Sequence, residues 1–217
     1  MSPSRFLDNA LCPVRAKRER RKEARPGELL EAALALFAEK GFAAARMEDI
    51  AARAGVAKGT LYLYFPSKEA VFEALVRTLI VPNLDLAETA AASHQGPVAP
   101  LLRRVAPLLA AIIRDGRLVV LPRLLIGELH KFPDLARFYK ATVVDRALAL
   151  IARLHRQGVE AGEFRPQDSE AVARLVVAPV LMTAIWRAVF ASHEAEPFDP
   201  ARVLDAHVDT LLRGLAP

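Results

Sequence analysis

From residue 28 onward the apolar positions recur every three or four residues, and no alternating strand pattern bounded by hairpin turns interrupts them. Leu30, Ala33, Leu34 and Phe37 form a first buried stripe, in a helix opened by Pro26 and ended by Gly41. Met47, Ile50, Ala51 and Ala54 form a second, at spacing i, i+3, i+4, i+7, and Gly55 follows as the C-terminal glycine. A third short segment runs from Lys58 to Phe65. A fourth, behind the N-cap candidate Ser67, carries Val71, Phe72, Leu75, Val76 and Leu79 towards a kink or break at Pro82. After the loop His94–Pro97 only helical patterns follow: about 98–114, 117–131, 134–161, 168–192 and 200–215. The expected fold is all-α, with a basic, disordered arm over residues 1–25 whose helix can begin at Val14. A three-helix N-terminal unit follows over 26–75, and a larger helical bundle over 76–217.

Helix, glycine turn, helix is the layout of a helix-turn-helix, whose second helix enters the DNA major groove. At about 100° per residue, Leu61 and Phe65 share the side that packs inward. Gly59, Thr60 and Leu63 point outward, flanked by Tyr62 and Tyr64. A solvated helix face normally fills with Lys and Glu; this one holds phenols, a threonine and a glycine. Gly59 costs a helix roughly 1 kcal/mol, which makes sense where a backbone must come close to a partner. Lys58 and Lys68 stand at the two ends, where phosphates would lie. Spacing alone also allows a helical hairpin that never touches DNA.

Residues 28–75 resemble the N-terminal domain of the tetracycline-repressor family of bacterial one-component regulators. The resemblance rests on Ala32-Ala33-Leu34-x-Leu36-Phe37, Gly41-Phe42, Met47-x-x-Ile50-Ala51 and the run Ala54 to Phe65, with Ser67-Lys68-Glu69 and Phe72 behind it. Three positions depart from the family pattern. Arg46 stands where Ser or Thr often caps the second helix, and Ala57 where Ser is common; each missing cap costs roughly 1 kcal/mol. Arg46 can offset its loss by reaching a phosphate, and Glu48 and Asp49 suit the positive end of the helix dipole. Leu63 replaces a frequent base-reader and can make only apolar contact, for example with a thymine methyl. The expected DNA-binding residues are Arg46, Lys58, Gly59, Thr60, Tyr62, Leu63, Tyr64 and Lys68.

Charge sharpens this reading. The net charge is +5, and residues 1–27 carry all of it, with eight Lys or Arg against three Asp or Glu. Arg15, Lys17, Arg18, Arg20, Arg21, Lys22 and Arg25 cluster there. Such an arm beside a helix-turn-helix suits phosphate or minor-groove contact, although a solubilising tail has the same composition. No uncharged apolar run approaches the ~18 residues of a membrane span, and the start lacks the apolar core of a signal peptide. A single cysteine, Cys12, excludes an internal disulfide and fits a cytoplasmic location. His94, His130, His155, His193 and His207 form no metal-ligand pair, and no catalytic loop or elbow motif is present. Neither an enzyme, a metal nor a cofactor is expected.

Residues 168–192 are apolar around more than half the helix, so this segment is buried on several sides. It is either a central core helix or a subunit interface. The resemblance implies the second: the family's last two helices form a four-helix dimer interface, which maps onto Val180, Val189, Val203, Leu204, Val208, Leu211 and Leu212. It also implies an effector pocket in the bundle, with candidates Leu125, Glu128, Leu129, His130, Phe138, Tyr139, Val143, Met182, Trp186 and Phe190. At helical spacing all ten also serve as ordinary packing residues. The implied function is a homodimeric transcriptional repressor, released from a palindromic double-stranded DNA operator by a small, apolar effector. A sequence-nonspecific chromosome-organising protein is the alternative, and a small helical enzyme a remote one.

Overall fold

A computed structural model describes the backbone of residues 13–115 and 120–217, and side chains over most of residues 26–217. All regular structure among the described residues is helical. The helices are α1 (Pro13–Ala44), α2 (Met47–Arg53), α3 (Lys58–Tyr64), α4 (Lys68–Leu79), α5 (Val81–Ser93), α6 (Val98–Asp115), α7 (Val120–Glu128), α8 (Pro133–Tyr139), α9 (Asp145–Glu160), α10 (Ser169–Val189) and α11 (Pro200–Leu215). A 3₁₀ turn, Leu129–Lys131, joins α7 to α8, and a π-helical turn, Lys140–Val144, joins α8 to α9.

The start of α1 corrects the expected opening at Pro26 and lies one residue before the Val14 start that the sequence allowed. The helix reaches back to Pro13 and runs through Pro26, which opens nothing. Residues 16–25 are all Ala, Arg, Lys or Glu, which are strong helix formers, and their summed propensity outweighs the one backbone bond that Pro26 removes. Residues 1–12 lie outside the described region. At its other end α1 breaks at Gly41, whose φ of 79° and ψ of 168° are open to glycine but costly to other residues. The break before Pro82 falls at Ile80, and the proline takes its place in the first turn of α5.

Capping follows the sequence. Ser67 accepts from the Ala70 amide, Asp168 from those of Glu170 and Ala171, and Asp199 from that of Ala201. Arg46 and Ala57 supply no side-chain cap to α2 and α3.

Three buried clusters hold the molecule. The first gathers Leu29, Ala33, Phe37, Phe42, Ile50, Leu61, Val71, Phe72 and Leu75, and it continues into Leu121, Leu124, Leu129 and Leu135. Phe42 is its centre, with ring centroids 5.2 Å from Phe37, 5.7 Å from Phe72 and 4.8 Å from Phe132. The second joins α6, α9, α10 and α11 through Leu102, Leu150, Leu154, Phe164, Val172, Leu212 and Leu215. The third packs Ala106, Ala110 and Ile113 of α6 on Ala184 and Leu204. Leu204 and Leu212, expected at a subunit interface, are therefore buried within the single chain. Their turns of α11 face α6, which consumes the apolar stripe that the sequence left free to face a second copy.

Helix α10 corrects a second expectation, because it is buried on one side and not on several; by length and composition it is also apolar enough to cross a membrane. Arg174 and Arg187 interrupt the run in sequence but stand towards the two ends of the helix. One side of α10 buries Val172, Ala173, Thr183 and Ala184 against its neighbours. Leu175, Leu181, Met182, Trp186, Val189 and Phe190 remain exposed.

Candidate nucleic-acid interface and effector region

Leu61 is fully buried beneath α3, and Phe65 closes the helix against the same core. These two anchors determine what faces out. Tyr62 is exposed, Leu63 is 84% exposed, Lys58 and Gly59 are open, and Thr60 is half-buried. The α2–α3 turn forms the expected glycine cap: Gly55 has φ +65°, its N–H donates to Ala52 O at 3.1 Å, and the Val56 N–H donates to Ala51 O at 3.0 Å. A Cβ placed on Gly59 would meet nothing of the protein within 4 Å. No internal packing demands a glycine there.

Tyr64 differs from its neighbours. It is half-buried and packs on the first cluster, so its ring braces α3 from behind. Lys68 differs too. Its ammonium donates to Ala43 O and Ala45 O, both at 3.0 Å, and lies 4.6 Å from the Phe42 ring centroid. Partial burial pulls its pKa below the usual lysine value. Lys68 thus ties the α1–α2 turn to α4, a task the sequence pattern did not announce.

Three ion pairs hold α2. Arg53 grips Glu39 of α1 with two bonds at 2.7 and 2.6 Å, Lys40 meets Asp49 at 3.1 Å, and Lys58 of α3 pairs with Glu48. The Lys58 hydrogen bond draws the Glu48 carboxyl below the usual value, and the Arg53 hydrogen bond does the same to Glu39. Glu39, Glu48 and Asp49 are thereby each paired with a basic side chain. Arg46 is exposed and makes no ion pair among the described residues.

Among the described residues, the effector candidates fall in two places. Leu129 is buried in the first cluster, and Phe138, Tyr139 and Val143 pack half-buried against it. The Arg77 guanidinium of α4 stands 4.9 Å from the Phe138 centroid, and burial pushes the Tyr139 phenol up to about 12. Glu128 is half-buried and His130 exposed, while the Leu125 side chain lies outside the described residues. Met182, Trp186 and Phe190 lie on the outer side of α10 instead. There Trp186 and Phe190 are 4.9 Å apart, and Trp186 Nε1 donates to Glu194 at 2.6 Å. The candidates were chosen for residue type, and helical phase sets the last three apart from the buried Val172, Ala173, Thr183 and Ala184 of the same helix.

Of the interface candidates, Val189 and Val203 are exposed, and Val180, Val208 and Leu211 half-buried. Leu175 and Met182 are exposed beside Val189 on the same face; the sequence assigned neither to an interface and gave Met182 to the effector pocket. A shallow cleft of about 390 Å³ between α6 and α11 was not foreseen either; Arg103, Ala106, Asp205, Ala206, Val208 and Asp209 line it.

Two family models match the chain. "Bacterial regulatory proteins, tetR family" covers residues 29–75, and "AefR-like transcriptional repressor, C-terminal domain" covers residues 100–215, more than half the chain. A curated relative, the uncharacterised regulator YfiR of Bacillus subtilis, is 29% identical over 147 residues, 67% of this chain and 70% of its own. The match to a second B. subtilis regulator, YvdT, is 43% identical over 58 residues and spans 27% of this chain and 30% of that relative's length. A crystal structure of a tetR-family regulator from Mesorhizobium loti superposes with a TM-score of 0.70 at 26% identity, covering 91% of this chain and 99% of that one. The fold is shared by B. subtilis FadR in complex with stearoyl-CoA, at TM-score 0.73 and 20% identity over 87% of this chain and 98% of that one.

Proposed function

The chain belongs to the tetracycline-repressor family of bacterial transcriptional regulators, and from that premise we propose how its parts divide the work of a ligand-responsive DNA-binding repressor. The outward face of α3 lies in the major groove of a palindromic operator. Tyr62, Leu63 and Thr60 meet base edges and the groove wall, Gly59 lets the backbone approach, and Lys58 and Arg46 reach phosphates. The observation that supports this face most is the open space around Gly59 beside two exposed, uncharged large side chains, on a helix end whose nearby acids are already paired.

Two copies join through the exposed apolar side of α10, along Leu175, Met182, Trp186 and Val189, with Val203 of α11 beside it. A two-fold axis there presents paired recognition helices to half-sites roughly 34 Å apart. The effector is a small molecule with an apolar part, received beside α7 and α8 around Leu129, Phe138, Tyr139 and Val143. Its binding shifts α4 and α7 and changes the spacing of the two α3 helices. A differential affinity of a few kcal/mol is enough, because binding can move the equilibrium only by that difference.

Selection of duplexes from random DNA by the full-length protein, followed by footprinting, tests this. A palindromic consensus protected over both half-sites is the expected result. Complete loss of binding under random competitor DNA would point instead to a sequence-nonspecific chromosome-organising protein. Stearoyl-CoA and other long-chain acyl thioesters are reasonable first probes for release.

A further inference from the structure

The α1–α2 turn is held from three sides. The Glu128 carboxylate at the end of α7 accepts from the Ala43 amide at 2.5 Å, Lys68 of α4 donates to the carbonyls of Ala43 and Ala45, and Phe132 closes edge-on over Phe42. Gly41 makes room for this. A Cβ at Gly41 would collide with Glu128 Oε1, and its φ of +79° already favours glycine. Beyond Glu128 the α-helix ends and the chain tightens into the Leu129–Lys131 turn, so any sliding of α7 moves the carboxylate with it. Ala43 stands four residues before Met47, the first residue of α2.

Resting on the functional reading above, we propose that Glu128 is the positioning residue through which α7 sets the helix-turn-helix: its bond to Ala43 holds the turn in the DNA-competent orientation, and displacement of α7 releases it. The link runs beside α4, not through it, so the helix-turn-helix receives the state of the bundle at the base of α2 as well as along α4. The carboxylate's charge adds to the hold, because Lys68 bonds to the same turn and the two opposite charges attract each other.

The test uses the full-length protein, its Glu128→Ala and Glu128→Gln variants, and a palindromic duplex selected from random DNA by the wild type. Three quantities are read: affinity for that duplex, amide exchange at Ala43, and the thermal midpoint. The expected result for Glu128→Ala is exchange at Ala43 faster by tenfold or more and affinity lower by tenfold or more, with the midpoint moved by only a few degrees, consistent with loss of one charge-assisted bond. Glu128→Gln retains an acceptor oxygen without the charge and should fall between, which keeps the comparison open if the alanine variant folds poorly. Faster exchange with unchanged affinity would reduce the Glu128–Ala43 bond to a local cap and overturn the proposal. Unchanged exchange would overturn it as well. A wild type that selects no sequence would instead sink the functional reading, while exchange at Ala43 would still report whether the bond exists.

Discussion

Tyr62 and Tyr64 are two residues apart, chemically identical and differently used. Tyr62 is exposed on α3, and Tyr64 packs on the core. Tyr62→Ala should therefore cost roughly 1–3 kcal/mol of operator affinity with little change in melting, the usual range when a base-reading side chain is removed. Tyr64→Ala should lower the melting temperature as well. Equal affinity of Tyr62→Ala and wild type in a footprinting titration would contradict the assignment. A helical wheel places both tyrosines on the flanks, and only packing against the first cluster decides which one is covered. His155 is a second case. It is buried, with Nδ1 2.9 Å from Ser169 Oγ and its ring 5.9 Å from that of Phe164, and burial lowers its pKa, with a smaller contribution from Arg156. The fold thus prefers the neutral imidazole, while the unfolded chain takes up a proton at about pH 6.5. The stability this group contributes is complete above that pH and is lost as pH falls through the interval down to the folded value. Melting between pH ~7.5 and ~5.5 should consequently show a smaller loss for His155→Gln than for the wild type; equal losses would contradict this.

At the scale of elements, periodicity and glycine placement made most of the helices legible. The apolar stripe of Met47, Ile50 and Ala51 is buried as its spacing requires, and Gly41 and Gly55 both take the positive φ that ends a helix. The arm was less legible, because its composition suits both a solvated tail and a helix. Its charge still makes an expectation: deleting residues 1–22 should flatten the dependence of log affinity on log salt by roughly 0.9 for each phosphate that the arm no longer neutralises. Identical slopes would mean that the arm only solubilises. The seam between α9 and α10 holds a constraint that periodicity does not reveal. A Cβ at Gly158 would collide with the Phe164 ring, which is buried in the second cluster. Gly158→Ala should cost about 1–3 kcal/mol of stability, the usual penalty for overpacking, readable as a lower midpoint in urea.

At the scale of the molecule, the resemblance pointed to α10 and α11 as the place of assembly, and several of the side chains it mapped there pack within the single chain. Leu204 and Leu212 are spent on α6, and Leu211 is half-spent on the second cluster. The free surface is Leu175, Met182, Trp186 and Val189, with Met182 56% exposed. A stripe on one helix reads the same whether it faces a neighbouring helix or a second copy, so only the packed bundle separates the two. Met182→Glu places two like charges across the proposed two-fold axis without disturbing the core, and Leu175→Glu should act in the same direction. Both variants should stay folded and lose the palindrome. The most direct measurement is sedimentation velocity of the wild-type protein at micromolar concentration, alone and with a labelled palindromic duplex. The expected result is a species of two 23.7 kDa chains that carries one duplex intact. A clean 23.7 kDa monomer that binds a single half-site as tightly as the palindrome would contradict both the interface and the two-half-site mechanism built on it.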